Sequence, residues 1–147
     1  MIVKLKGKID NYSENFIDID VKDIVYRVLM TNSNVEFFKE TIAEVEIFIY
    51  EIIKEDSRTF IGFKNFQERE VFSDLLSVQG VGSKMAINIM SSLECNEIIN
   101  SIKADEISKL TNVSGVGQKL AKRINNELKE KLQKKFGLSD FKISVKD

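Results

Sequence analysis

The sequence predicts an α+β protein in which a small β-barrel comes first and an all-α domain follows. Three observations support this fold class. The first part of the chain contains five short runs with the alternation or the β-branched composition of strands. After Gly62 the apolar residues change to helical spacing. The helical part then contains an internal repeat, which predicts two similar helical units in tandem.

Five strands and one short helix are predicted in residues 1–63. Apolar and charged residues alternate at 3–9 and 17–21, while 24–30, 45–53 and 59–63 are rich in β-branched and aromatic residues. A short helix is expected at 33–40, with Asn32 or Ser33 as its N-cap. This arrangement is typical of small barrels, of which the oligonucleotide-binding (OB) fold is one.

Helices are predicted throughout residues 64–136. Asn65 is expected to cap the first of them, because Glu68 follows three residues later in the manner of a capping box. The last helix is long, and its apolar face consists of residues spaced by four, namely Leu120, Ile124, Leu128 and Leu132. Residues 137–147 are polar and weakly patterned, so we expect a tail there.

The repeat has the pattern L-x-x-V-x-G-V-G-x-K-x-A. It occurs at 75–86 and again 35 residues later, at 110–121. Each copy predicts two helices joined by a Gly-Val-Gly turn, which is a helix-hairpin-helix. The first glycine permits a positive φ, and the second lets another backbone approach without a Cβ in the way. The valine between them is expected to face the core.

These turns have the chemistry of a phosphate-binding site. A helix that starts directly after the turn presents unpaired N–H groups and a partial positive charge, which suit a phosphate oxygen. Lys84 and Lys119 fall in the first helical turn, where the helix dipole disfavours a cation, and a bound anion would account for them. A single such turn is common in tight helix corners, whereas two copies in register favour phosphate binding. The predicted DNA-binding residues are Gly80, Val81, Gly82, Ser83, Lys84, Gly115, Val116, Gly117, Gln118, Lys119, Lys122 and Arg123.

The charge distribution agrees with this assignment. Residues 1–60 carry 8 basic and 12 acidic residues, whereas 61–147 carry 14 and 11. Residues 112–136 alone carry 7 basic and 2 acidic residues, so positive charge is concentrated around the second hairpin. Such a run often is only a solvated helix face, but its place beside a Gly-Val-Gly turn favours contact with a phosphate backbone.

The composition argues for binding rather than catalysis. The chain has no histidine, which excludes histidine bases and histidine zinc ligands, and its one cysteine, Cys95, is expected to be an ordinary core or surface residue. Neither glycine pair fits a dinucleotide-binding or P-loop pattern. We therefore expect no catalytic residues, no metal and no cofactor. The sequence has no secretory signal and no apolar run of membrane-spanning length, so we expect a cytoplasmic protein.

Glu55 and Asp56 lie between two predicted strands, so they should sit at the tip of a hairpin. Acidic residues at a turn usually are solvent-facing structure. On a nucleic-acid binder they have a possible function, which is to repel phosphates from one point.

Taken together, the features resemble those of the bacterial RuvA family, whose members bind Holliday junctions within a branch-migration complex. The resemblance rests on the barrel, the Glu-Asp turn, Gly62-Phe63, Gln67-Glu68-Arg69 and the two glycine hairpins in this order, and it runs from Met1 to about Lys135.

This resemblance implies an OB-fold barrel over 1–63 and a tandem helix-hairpin-helix domain over 64–136. It implies a homotetramer, one or two per junction, whose fourfold symmetry matches four DNA arms. Glu55 and Asp56 would form an acidic pin at the junction centre. The RuvB ATPase, which supplies ATP hydrolysis and helicase activity, and the RuvC resolvase would be partners.

Two features depart from the family pattern. The family has a third domain, which follows a flexible linker and contacts RuvB. This sequence stops at Asp147, so residues 137–147 are expected to be a tail or the start of that linker. Contact with RuvB is therefore not expected from these residues. Ser83 and Ser114 stand where proline is expected, which predicts altered rigidity of the turns.

Two other functions fit parts of the sequence. One is a general DNA-repair accessory protein that prefers single-stranded or nicked DNA, with Phe16, Tyr26, Phe48 and Tyr50 as candidate stacking residues, although core packing is the preferred interpretation of these rings. The other is a helix-hairpin-helix glycosylase, for which Asp140 is the only downstream aspartate before Asp147, in a helical region too small for a base-flipping pocket.

Overall fold

The computed structural model describes residues 1–136, so the predicted tail, with Asp140, lies outside the described residues. The chain divides into two compact units, Met1–Arg69 and a second unit that begins at Glu70. The residues before this division contact the barrel, since Arg69 donates a hydrogen bond from Nε to the Ile49 carbonyl at 2.8 Å.

The first unit is a closed five-stranded barrel with one helix. The strands close in the order β1-β2-β3-β5-β4, in which β3 and β5 are parallel and the other neighbours are antiparallel. A small closed barrel of five strands confirms the predicted OB-type architecture. The elements are β1 (Lys4–Tyr12), β2 (Phe16–Val21), β3 (Ile24–Leu29), α1 (Asn32–Phe38), β4 (Val45–Ile53) and β5 (Arg58–Phe63).

The barrel core follows the predicted alternation, with one difference in β1. Leu5 points inward as expected, but Val3 lies before the strand and is 55% exposed. The strand instead continues to Tyr12 across a register shift between Ile9 and Asn11, since pairing with β2 extends it. The buried apolar residues of the barrel include Leu5, Ile17, Ile19, Val28, Ile47 and Ile49.

One local detail differs from the sequence-based expectation, and a second was not predicted. The cap of α1 is Thr31 rather than Asn32 or Ser33, because Thr31 is extended and its Oγ1 accepts a hydrogen bond from the Asn34 N–H at 3.3 Å. The turn between β2 and β3 consists of Lys22 and Asp23, both with positive φ, which is the conformation that matches the twist of a two-residue hairpin.

The second unit consists of helices, the first of which begins at Phe66, before the division between the units. Asn65 accepts a hydrogen bond from the Glu68 N–H at 2.9 Å, which confirms the predicted cap of the first helix. The predicted apolar face of the last helix is confirmed for Ile124, Leu128 and Leu132, which are buried, while Leu120 is half-buried. The helices are α2 (Phe66–Leu76), α3 (Ser83–Ser92), α4 (Cys95–Lys103), α5 (Ile107–Thr111) and α6 (Gln118–Phe136).

Candidate nucleic-acid interface

The first hairpin turn joins α2 to α3. Gly80 has φ +97°, which confirms the left-handed conformation expected for the first glycine. Val81 is 7% exposed and donates from its N–H to the Val78 carbonyl at 3.0 Å, so it faces the core. Gly82 is the N-cap of α3, and no side chain caps this helix end. The first N–H groups of α3 are therefore left for another acceptor.

The second hairpin turn, between α5 and α6, repeats this geometry. Gly115 has φ +88° and Val116 is 5% exposed. The Ala121 N–H donates to the Gly117 carbonyl at 2.9 Å, and in the first hairpin the Ala86 N–H donates to the Gly82 carbonyl at the same distance. The shared sequence pattern thus folds into the same local structure twice.

Both second glycines face open space. Gly82 and Gly117 are exposed, and a Cβ built at either position meets no atom within 4 Å. Within the protein, neither position requires glycine for packing, and neither lies in the left-handed region. Their lack of a side chain leaves the helix N-terminus open to a large acceptor such as a phosphate group.

The basic residues of the predicted site lie at the same ends of the two helices. Lys84 is in the first turn of α3 and Lys119 in the first turn of α6, and both are exposed. Lys122 is exposed on the second turn of α6. Arg123 is exposed as well, and its Nη1 donates to the Gln79 carbonyl of the first turn at 3.1 Å.

The structure divides the positive charge of α6 into two parts. Toward the end of the helix, Lys129 pairs with Asp105 at 2.6 Å and Lys135 pairs with Asp74 at 2.9 Å. None of the ion pairs within residues 1–136 involves Lys119, Lys122 or Arg123. Within the described residues, the basic side chains at the start of α6, beside the glycine turn, therefore have no acidic partners, and farther along the helix the same holds for Lys131.

The acidic turn belongs to the first unit. Glu55 and Asp56 are exposed between β4 and β5, and the Lys54 N–H donates to the Ser57 carbonyl at 2.8 Å across the turn. The predicted hairpin tip is thus present. Its two carboxylates face solvent, where they add negative charge to this end of the barrel.

A buried carboxylate supports the base of this turn. The side chain of Glu51 is fully buried, accepts a hydrogen bond from the Ile2 N–H at 2.7 Å and forms an ion pair with Arg58. The Ile2 N–H bond and the Arg58 guanidinium hold the pKa of Glu51 below its ordinary value. The burial of Glu51 was not predicted, although the sequence carries a signal for it, because Glu51 continues the inward alternation of Val45, Ile47 and Ile49.

The four aromatic residues considered as stacking platforms are half-buried. Tyr26 packs against the barrel core as expected, whereas Phe16, Phe48 and Tyr50 are not part of that core. Their rings also have neighbours that compete with a base. Phe16 lies under the Arg27 guanidinium at 3.9 Å. Tyr26 contacts the Phe60 ring, and Phe48 contacts Lys4 and the Phe66 ring. The Arg69 guanidinium lies over the Tyr50 ring.

Residues 1–136 contain no group of three or more carboxylate or cysteine residues placed to hold a metal ion. In the same part of the chain, no helix combines the length and apolarity needed to cross a bilayer. Cys95 is half-buried at the first position of α4.

Two family models match the chain, one in each unit. Residues 1–62 match the RuvA N-terminal domain, and residues 72–130 match a SAM-like helix-hairpin-helix tandem. The second match contains both glycine turns, and the first contains the acidic turn.

Relatives from several bacteria match along almost the whole chain. The Zymomonas mobilis protein is 37% identical over 131 residues, which are 89% of this chain and 62% of the relative. The Actinobacillus pleuropneumoniae serotype 5b protein is 34% identical over 141 residues, 96% of this chain and 70% of the relative. The Geobacter sulfurreducens protein is 37% identical over 134 residues, 91% and 67% of the two chains. Each is named Holliday junction branch migration complex subunit RuvA.

The chain spans 62 to 70% of the length of these relatives. Within that span the barrel, the acidic turn and both glycine hairpins occur in the expected order. With matches to both family models and 34% identity over 70% of a full-length relative, this chain belongs to the RuvA family.

Proposed function

We propose that this protein binds four-way Holliday junctions, as the DNA-binding subunit of a RuvA–RuvB branch-migration complex in homologous recombination and DNA repair. The observation that carries the proposal is the pair of identical glycine turns, each followed by an exposed helix N-terminus with a lysine in its first turn. The names of the relatives support the same function.

In this proposal the two turns bind phosphates and do not read bases. Backbone N–H groups at the starts of α3 and α6 donate to phosphate oxygens, and Gly82 and Gly117 leave room for the phosphate group. Lys84, Lys119 and Lys122 add charge that displaces counterions from the DNA. Such contacts position DNA without selecting a sequence, which suits a protein that must bind junctions wherever they form.

Selectivity for a junction is assigned to the acidic turn and to assembly. In a homotetramer the turns of Glu55 and Asp56 from the copies converge at the centre, where they repel the phosphates of continuous duplex. A four-way junction has an open centre and avoids this repulsion, so the acids disfavour the wrong substrate rather than strengthen binding to the right one. The buried Glu51–Arg58 pair holds the base of the turn.

The proposed role is not enzymatic. RuvB would supply ATP hydrolysis and RuvC would resolve the junction, while this chain holds the DNA without a cofactor and acts in the cytoplasm. The contact with RuvB is assigned to the third domain of the family, beyond the span described here.

The test is a comparison of DNA substrates at one salt concentration. We expect the protein to bind a four-way junction much more tightly than linear duplex or single strands of equal length, and to migrate as a tetramer in sedimentation. A matched control is the double variant Lys129→Gln with Lys134→Gln, which removes two positive charges from the far part of α6 and should leave the junction preference intact. Preference for single-stranded or nicked DNA would instead support a general repair accessory protein and refute the junction proposal.

A further inference from the structure

The two hairpins are joined by a reciprocal pair of hydrogen bonds. Asn88 of α3 donates from Nδ2 to the Ser114 carbonyl in the second turn at 2.7 Å. Arg123 of α6 donates from Nη1 to the Gln79 carbonyl in the first turn at 3.1 Å. The repeat offset of 35 residues maps Asn88 onto Arg123 and Gln79 onto Ser114. Each repeat therefore uses the same position to hold the same carbonyl of the other repeat.

The apolar contacts at the turns follow the same exchange. The side chain nearest to a Cβ built at Gly115 is that of Met85, at 3.5 Å, and the side chain nearest to a Cβ built at Gly80 is that of Leu120, at 3.3 Å. Met85 and Leu120 are again equivalent positions of the repeat. The left-handed glycine of each hairpin thus lies beside a side chain from the other hairpin.

The carbonyls that accept these bonds determine the direction of the N–H groups of the two left-handed glycines. Because a trans peptide is planar, the N–H of Gly80 points opposite to the carbonyl of Gln79, and the N–H of Gly115 opposite to that of Ser114. Among the hydrogen bonds of residues 1–136, neither glycine N–H donates to a protein acceptor. Both glycines are exposed, so these two N–H groups are available to a ligand.

We propose that Asn88 and Arg123 are positioning residues that orient the glycine N–H group of the opposite hairpin, so that this group joins the helix N-terminus three residues later in binding phosphate and the two turns act as one site. This inference rests on the proposed DNA binding of the turns. Asn88 is the cleaner probe of the two. Its amide is neutral, whereas an arginine also carries charge and has further N–H donors for a phosphate.

The inference predicts a crossed pattern of effects in the DNA-free protein. Asn88→Ala should shift the backbone amide resonances of Gly115 and leave those of Gly80 close to their original positions. Arg123→Met should shift the amide resonances of Gly80 and leave those of Gly115 close to their original positions. Lys122→Met is the control, because it removes a neighbouring charge without removing a hydrogen bond to either turn. Asn126→Ala, an exposed asparagine on α6, should shift neither glycine. Shifts confined to the mutated residue's own turn would overturn the inference.

The same crossing should appear in DNA binding. Asn88→Ala should weaken junction binding several-fold. In a double variant with Gly117→Val, Asn88→Ala should cause little further loss of junction affinity, because both changes disable the second turn. In a double variant with Gly82→Val, which disables the first turn, the two fold-losses in affinity should multiply. If Asn88→Ala unfolds the protein, Asn88→Arg retains a donor at this position and should restore both folding and the Gly115 resonance.

The two proposals fail in different ways. If the protein binds DNA but Asn88→Ala lowers junction affinity by the same factor in the Gly82→Val and Gly117→Val backgrounds, the positioning role of Asn88 is wrong and the DNA-binding function stands. If the protein binds no DNA at low salt, the proposed function is wrong, and the amide resonances alone decide whether the braces exist.

Discussion

The two kinds of glycine in the hairpins should separate folding from DNA binding. Gly82→Val and Gly117→Val place a side chain at the helix N-terminus, in space that no protein atom occupies within 4 Å of a built Cβ. Gly80→Ala and Gly115→Ala place a Cβ at positions with φ of +97° and +88°. We expect the first pair of variants to fold and lose binding, and the second pair to lose stability.

The structure sets the size of each effect. At Gly82, with φ −93° and ψ 179°, a valine loses about 0.5–1 kcal/mol as a poor N-cap but gains a similar amount because the unfolded chain has fewer conformations, so stability changes by less than ~1 kcal/mol. Loss of a hydrogen bond to a charged phosphate costs about 1.5–3 kcal/mol, or roughly 10- to 150-fold in affinity.

The left-handed glycines have a different cost. An alanine in this region costs about 1–2 kcal/mol in backbone conformation. Gly80→Ala should cost more than Gly115→Ala, because its Cβ lies 3.3 Å from Leu120 Cδ1, whereas the nearest atom at Gly115 is Met85 Cε at 3.5 Å.

The assay measures thermal unfolding by circular dichroism together with equilibrium binding to a fluorescent four-way junction, with all four variants at one salt concentration. Full affinity in a folded Gly82→Val, Gly117→Val double variant would refute the role of these glycines in phosphate approach. A loss of stability in that variant equal to the loss in Gly80→Ala would show that the second glycines are needed for the fold instead.

Four further outcomes follow from the structure. Replacing Glu55 and Asp56 by Gln and Asn should raise duplex affinity more than junction affinity, with a smaller shift at high salt, and an equal loss for both DNAs in gel-shift titrations would make the turn purely structural. Junction affinity should fall linearly on a log–log plot against salt for unrelated arm sequences, and a flat response would contradict phosphate binding. The pKa of Glu51 is lower in the folded protein than in the unfolded chain, so its stabilising contribution should be complete above its ordinary unfolded pKa of ~4.3 and be lost as the pH falls through the folded value. Glu51→Gln should therefore make the free energy of unfolding less dependent on pH on the acid side of a stability–pH profile. An unchanged acid side would exclude this role. Gly7→Ala should destabilise the barrel strongly in denaturant titrations, because its Cβ would collide with the Asp20 backbone carbonyl, and a normal midpoint would contradict the packing described.

Local patterns were sufficient to predict the elements that lie on regular surfaces. The alternation of residues 17–21 and the four-residue spacing of α6 report which face is buried, because each period matches a backbone geometry. The Asn65 cap and the positive φ of Gly80 could be predicted for the same reason, since each depends on residues within one turn. The α1 cap was misassigned to Asn32 or Ser33 because several neighbouring polar residues could serve, and the choice depended on which one became extended.

The site was predicted less completely, because parts of it depend on contacts between distant residues. The run of basic residues in α6 reads as uniform in sequence, but Lys129 pairs with Asp105 in the loop between α4 and α5, and Lys135 pairs with Asp74 of α2. Glu51 meets the Ile2 N–H 49 positions away in sequence. Neither pairing has a local signal, since each partner is brought into range by the fold.

By itself, the sequence determined that this protein has a barrel and two glycine hairpins with helix starts suited to phosphate, because periodicity, capping and glycine conformation are properties of short segments. Only the tertiary structure decided which lysines lack acidic partners, which carboxylate supports the acidic turn, and that Asn88 and Arg123 each hold the turn of the other repeat. Hydrogen bonds and ion pairs act over a few ångströms, so their partners are determined by the packing of the chain in space and not by its order.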